Sequence, residues 1–160
     1  MIRPVKKDDA KNIAGIYNYY VRETVATFEE RPVSIGEMTG RITAIGAKYP
    51  WLVLEEDGDV VGYAYVNTWK EREAYRYAAE LSIYLKTGLE GKGRGTELMK
   101  ALLEAVKKTE LHVLVAGTTL PNERSIALQK KFGFTKIAQF KEIGFKLGRR
   151  LDVEYWELIL

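Results

Sequence analysis

The sequence predicts a mixed α/β sheet whose central pair of strands runs parallel, and three stretches carry that expectation. Residues Glu80 to Thr96, ELSIYLKTGLEGKGRGT, read as strand, glycine-rich loop and helix: an apolar, β-branched and aromatic run, a turn at Thr87-Gly88, then GKGRG leading into an amphipathic segment. Leu111 to Ala116 follows that helix as a compact buried strand, and two strands joined through a helix lie parallel. Trp51 to Glu55 and Val60 to Thr68 flank EDGD, whose Asp-Gly pair is the strongest hairpin signal in the chain and supplies an antiparallel pair.

The remaining elements fall around these. Ile2 to Val5 forms a short first strand, after which Asp8 or Asp9 caps a helix with Ile13, Ile16, Tyr17 and Tyr20 on one face. TVATFEERP, broken by Pro32, reads as a loop laid over the core. Ser34 and Glu37 have capping-box spacing and open a second helix through about Ala47. WKEREAYRY is a polar and aromatic loop before the central strand. The helix after the glycines runs from about Arg94 to Lys108 with Leu98, Leu102 and Val106 inward. Asn122 caps a further helix that ends at Phe132-Gly133-Phe134, with glycine in the C-terminal position. Strands at about Thr135 to Ile143 and Leu151 to Leu160 finish the chain. Its 160 residues suffice for one core and contain no linker, so residues 1–160 are expected to form a single domain.

Composition narrows the function. The 25 basic and 22 acidic residues leave a net charge of +3, spread along the chain, which suits a small polyanionic ligand and does not point to nucleic acid. The absence of cysteine excludes disulfides, thiolate metal sites and a cysteine nucleophile, and fits a reducing compartment. No apolar leader core and no run of membrane-spanning length is present, so a cytoplasmic protein without a membrane partner is expected. His112 is the only histidine, which argues against a multi-histidine metal centre or a Ser-His-Asp triad; no metal is expected, and His112 reads as structural.

The glycine-rich stretch is the chemical candidate. Gly91, Gly93 and Gly95 remove side chains that would keep a bulky anion from the backbone, and the helix that follows presents unpaired N–H groups and a partial positive charge. Lys92 and Arg94 add full charges. A plain turn uses the same residues. The Gly-Lys-Ser/Thr ending of a P-loop is missing, and although Glu110 lies near the acidic spacing of a dinucleotide fingerprint, the loop sits mid-chain with a helical segment between.

Taken together, Glu90, Gly93 and Gly95, then Asn122, Ser125, Leu128 and Gly133-Phe134, resemble the pattern of the GNAT superfamily of N-acetyltransferases. TFEERP (27–32), WKEREAYRYAAELSIYL (69–85), NERSIALQKKFGF (122–134) and IGFKLGRRLDV (143–153) are similar to the phosphinothricin and methionine sulfoximine acetyltransferase branch. The resemblance implies a mostly antiparallel central sheet in which the parallel fourth and fifth strands splay apart, flanked by about four helices. It also implies acetyl-coenzyme A (acetyl-CoA) as co-substrate, its pantetheine arm pairing with the backbone of Ile83, Tyr84 and Leu85. On the same basis its diphosphate lies on Gly91, Lys92, Gly93, Arg94, Gly95 and Thr96, and Asn122 contacts it while also serving as a helix cap. A homodimer is implied as well.

The resemblance further places Glu80 as general base for an attacking amine, which requires partial desolvation by neighbours such as Trp69, Tyr75, Tyr77 and Tyr84. Where relatives carry a Tyr or His, this chain has Gln129, an amide that cannot donate a proton and stay neutral. Glu90 replaces a Gln or Arg beside the diphosphate and weakens affinity unless it turns outward. The acceptor is expected over Glu71, Arg72, Glu73, Leu81 and Ser82, with Phe28 and Glu29 closing the other side and Arg72 capturing a carboxylate or phosphinate. Three readings stay open: an enzyme acting on a small amino acid or its analogue, an enzyme acting on a polyamine or protein N-terminus, and an acyl-CoA-binding regulatory module with little activity.

Overall fold

The hairpin and the strand–loop–helix unit form the middle of one seven-stranded sheet in a computed structural model describing residues 1–160. The strands are β1 (Ile2–Pro4), β2 (Trp51–Glu56), β3 (Asp59–Thr68), β4 (Ala78–Leu85), β5 (Val113–Thr119), β6 (Thr135–Lys146) and β7 (Arg149–Ile159), and the helices are α1 (Ala10–Glu23), α2 (Ile35–Gly46), α3 (Arg94–Val106) and α4 (Glu123–Lys131). Spatial order is β1-β2-β3-β4-β5-β7-β6. Only β4 and β5 are parallel, as a helical crossover requires.

Local chemistry sets the boundaries. Asp57 and Gly58, both at positive φ, make the β2–β3 turn. Ser34 Oγ accepts the Glu37 N–H at 3.1 Å while the Glu37 carboxylate accepts the Ser34 N–H at 2.9 Å, a complete capping box. Asn122 Oδ1 accepts the Ser125 N–H at 3.2 Å, and α4 ends at Gly133 with φ 87°. Asp9 does not cap α1: its carboxylate accepts the Lys6 N–H and a two-pronged pair from Arg3, and a short 3-10 turn at Lys7–Asp9 precedes the helix.

Four ends of the expected strands move. β5 begins at Val113 and continues through Thr119, because β7 supplies ladder partners for its whole length. The exposed His112 lies just outside it, its N–H donating to Tyr77 O at 2.8 Å and its carbonyl accepting from Leu160. The β6–β7 hairpin closes tightly at Leu147-Gly148, both at positive φ, so each strand extends beyond Ile143 and before Leu151.

The sheet has a core on each face. One packs α3 residues Leu98, Met99 and Leu102 against Ala79, Leu81, Leu114 and Trp156. The other packs α1 and α2 residues, among them Ile13, Tyr17, Met38 and Ile42, against Trp51, Val53 and Tyr63. Strand alternation assigns Glu80, Ser82 and Tyr84 to the second face and Leu81, Ile83 and Leu85 to the first.

Candidate active site

The parallel pairing of β4 and β5 lasts for three residues, Ala78–Glu80 against Val113–Val115, and then stops. Beyond it Leu81–Leu85 pair only with β3, and Ala116–Thr119 only with β7. The strands diverge into a cleft of about 590 Å³ between β4, β5, α3 and α4. Ile83, Tyr84 and Leu85 line it along an edge with no strand partner, and Asn122 lines it from the start of α4. Tyr20 reaches in from α1, its hydroxyl donating to Leu85 O at 2.6 Å.

Gly91, Gly93 and Gly95 border the mouth of this cleft with Thr96. Gly91 and Gly93 hold φ of 75° and 83°, and a Cβ at either would meet nothing within 4 Å. A side chain there is therefore disfavoured by the backbone and would occupy the open space where an anion approaches. Gly93 is the N-cap of α3, so the first N–H groups of that helix open onto the loop.

The charges are arranged differently from the expectation. The Arg94 guanidinium is held by Glu56, Nε and one terminal nitrogen each at 2.8 Å from a carboxylate oxygen, so its charge is matched. Lys92 is exposed and does not line the cleft. The cations that line it without an ion-pair partner are Arg124 and Lys131 of α4, which no glycine pattern signals. Glu90 folds back on its own turn, one carboxylate oxygen accepting the Gly88 N–H at 2.9 Å.

Glu80 stands at the fork, the last residue of β4 paired with β5. Its carboxylate has no hydrogen bond or ion pair. Gly117 leaves room for it: a Cβ there would fall 3.4 Å from Glu80 Oε1 and 3.1 Å from Tyr155 Cε1. Burial pushes the Glu80 carboxyl above its ordinary value, with the Lys70 ammonium pulling the other way. Burial first, and the Glu80 charge second, raise the Tyr155 hydroxyl. The desolvating wall is thus Tyr155, itself braced edge-on by Trp69 and Phe140, in place of Tyr75 and Tyr77, which are exposed. Tyr84 stacks within the aromatic row of Tyr17, Tyr20 and Tyr63. Tyr155 escapes sequence reading because its neighbour Gly117 meets it only through the β5–β7 register.

Gln129 lines the cleft from α4 at 6% exposure. Its Nε2 donates to Thr118 Oγ1 at 2.8 Å, while its Oε1 is buried without a partner. A buried acceptor in a cleft invites a donor from a ligand or water. No titratable acid occupies this position.

The expected acceptor residues separate into three groups. Glu71, Arg72 and Glu73 are exposed around a 3-10 turn at Glu73–Tyr75. Ser82 shares the face of Glu80, but Leu81 is buried in the α3-side core on the opposite face. Glu29 is already engaged, its carboxylate accepting from both terminal nitrogens of Arg41 and from the Tyr17 hydroxyl. Phe28 lies on Gly144, where a Cβ would overlap its ring. The loop that carries both is fastened by Lys146, 2% exposed, whose ammonium donates to Thr27 O at 2.6 Å and Tyr20 O at 3.3 Å.

The chain is similar to known acetyltransferases along nearly its whole length. The family model described as "Acetyltransferase (GNAT) domain" matches residues 2–155. The L-methionine sulfoximine/L-methionine sulfone acetyltransferase of Salmonella typhimurium is 37% identical over 163 residues, spanning 99% of this chain and 94% of its own. The phosphinothricin N-acetyltransferase of Streptomyces coelicolor is 32% identical over 170 residues, spanning 98% and 94%. The structure of an acetyltransferase from Salmonella typhimurium with its cofactor acetyl-CoA superposes with a TM-score of 0.97 at 37% identity, covering 100% of this chain and 93% of that one.

Proposed function

The chain belongs to the GNAT acetyltransferase family and is an acetyl-CoA-dependent N-acetyltransferase; from that premise we propose that it acetylates the primary amine of a small amino acid or analogue of the phosphinothricin or methionine sulfoximine type. The observation that carries this reading is Glu80, an unpaired and desolvated carboxylate at the fork of β4 and β5. Acetyl-CoA supplies the acetyl thioester. The chain fits it through the unpaired edge of Leu81–Leu85, the backbone cradle from Gly91 to Thr96, and the unpartnered Gln129 oxygen.

Glu80 takes the proton that an amino group must lose to attack a carbonyl carbon. As the new C–N bond forms, the C–S bond breaks and the sulfur departs as thiolate. An ordinary thiol pKa of roughly 8.5 lets it leave near neutral pH without a protein acid, in keeping with Gln129 where an acid would stand. Arg72, on the loop beside the fork, is assigned to the acceptor's carboxylate. The names of the relatives above favour an amino-acid acceptor.

Residues 1–160 act on this reading as one catalytic domain in the cytoplasm; no helix is long and apolar enough to cross a membrane. A homodimer is assigned to the outer edge of β6, where Ile137, Ile143 and Phe145 are at least half exposed.

The test is thiol release with methionine sulfone, methionine sulfoximine and phosphinothricin. Glu80→Gln lowers kcat/KM by about 100-fold or more and leaves coenzyme affinity unchanged. Because a base works only when deprotonated, the wild-type rate falls as pH drops through the raised Glu80 pKa, and the variant lacks that limb. An unchanged rate at every pH would remove Glu80 from its role.

A further inference from the structure

Tyr155 of β7 lies two strands across the sheet from Glu80 of β4, yet the two side chains meet over Gly117 of β5. Register brings them there. Gly117 pairs with Tyr155 across β5–β7, and Glu80 pairs with Val115, two residues before Gly117, in the last rung of β4–β5. Residues two apart on a strand share a face, so Glu80, Gly117 and Tyr155 all belong to the same side of the sheet. A Cβ at position 117 would stand 3.4 Å from Glu80 Oε1, and 3.1 Å and 3.6 Å from Tyr155 Cε1 and Cζ. The carboxylate and the ring therefore share the space that a side chain at 117 would take.

The ring in that space is held, and the carboxylate is not. Trp69 meets Tyr155 edge-on at 5.4 Å, and Phe140 does so at 5.7 Å, both in the geometry that aromatic pairs favour. Glu80 accepts no hydrogen bond and joins no ion pair, so packing alone orients it. The titratable groups that face it are Lys70 from the loop after β3, Tyr65 from β3, Tyr84 from β4 itself, and Tyr155 and Glu157 from β7. At Gly117 it is the Tyr155 ring, through carbon atoms, that adjoins the carboxylate. Tyr155 does not line the coenzyme cleft.

We propose that Tyr155 is a positioning residue for acetyl transfer: its ring, admitted by Gly117 and braced by Trp69 and Phe140, pins the Glu80 carboxylate at the fork and keeps water from one side of it. Tyr155 acts through Glu80, and its role rests on the reading of Glu80 as the base. Because ring carbons make the contact, the hydroxyl is dispensable. The burial that raises the Glu80 carboxyl is in part the work of this ring.

Three variants test it, each assayed at saturating acetyl-CoA with whichever of methionine sulfone, methionine sulfoximine and phosphinothricin the protein acetylates. Tyr155→Leu removes the ring and keeps an apolar side chain: kcat falls about tenfold, and the acid limb of kcat/KM moves to lower pH as water reaches the carboxylate. Coenzyme affinity stays within about twofold, which a general loss of structure would not allow. Tyr155→Phe keeps the ring and retains the wild-type rate and acid limb. Gly117→Ala crowds the carboxylate against a braced ring and lowers kcat with Tyr155 in place. An acid limb unmoved in Tyr155→Leu, a Tyr155→Phe as impaired as Tyr155→Leu, or a Gly117→Ala rate equal to the wild type overturns the role. If Glu80→Gln leaves the rate unchanged, the base reading has failed, and the contact is tested by itself. The 13C carboxyl resonance of Glu80, identified by its loss in Glu80→Gln, then titrates at lower pH in Tyr155→Leu than in the wild type. Equal midpoints overturn the placement of Tyr155 over Glu80.

Discussion

The two sides of the fork are built from different materials. On the proposed reading the coenzyme side is mainly backbone: an unpaired strand edge, two glycines in the left-handed region and the start of α3, all within residues 81–96. On the proposed reading the acceptor side is side chain: Glu80 with Tyr155, and the Tyr17–Glu29–Arg41 cluster, contributed by β4, β7, α1, α2 and the loop between the helices. A cradle of N–H groups accepts any ligand bearing the same diphosphate. A wall of side chains can be altered residue by residue, so the difference locates substrate choice on the acceptor side.

Substitutions that strike one side alone sharpen this contrast. Gly93→Val places a β-branched residue at φ 83°, costing roughly 1–3 kcal/mol of backbone strain, and stands a side chain in the cradle. Calorimetry should show coenzyme affinity reduced about 10- to 100-fold with the KM for the amine little changed; an equal loss on both sides would break the comparison. Lys146→Met removes the ammonium that bonds Thr27 O and Tyr20 O; Tyr20 O keeps its bonds from the Thr24 N–H and hydroxyl, but the part-buried Thr27 O is left without a donor. Denaturant melts should show a loss of roughly 1–3 kcal/mol, with a raised KM for the acceptor and unaltered coenzyme binding. The smallest effect is expected at Glu56→Gln. Freed from its partner, Arg94 turns its charge toward the anion, and coenzyme affinity rises about two- to fourfold at low salt, fading as salt is added.

The conformation of the β4–glycine loop–α3 unit was far more legible in the sequence than the surroundings of Glu80, for a physical reason. Strand, glycine loop and helix are contiguous, so their conformational demands are printed in order, and Asn122 announces itself as a cap. Glu80 was identified by resemblance, but what surrounds it depends on register. Gly117 looks like an interruption in a strand until the β5–β7 ladder sets it beside Tyr155. Arg94 reads as an anion ligand until the fold brings up Glu56, 38 residues away. Leu81 was grouped with Ser82 as an acceptor neighbour; both line the cleft, but strand alternation turns the Leu81 side chain to the α3 face. The capping box and hairpin turn are governed by interactions within a few residues, and both were found where expected.

The contact between Lys146 and Thr27 spans 119 positions along the chain. Contacts that close such long loops are slow to form. During synthesis from the N-terminus the loop bearing Phe28 and Glu29 therefore has its local ties, Glu29 to Tyr17 and Arg41, but not its Lys146 fastening until nearly the last residues emerge. A nascent chain halted after α4 would lack the latch that holds its acceptor wall.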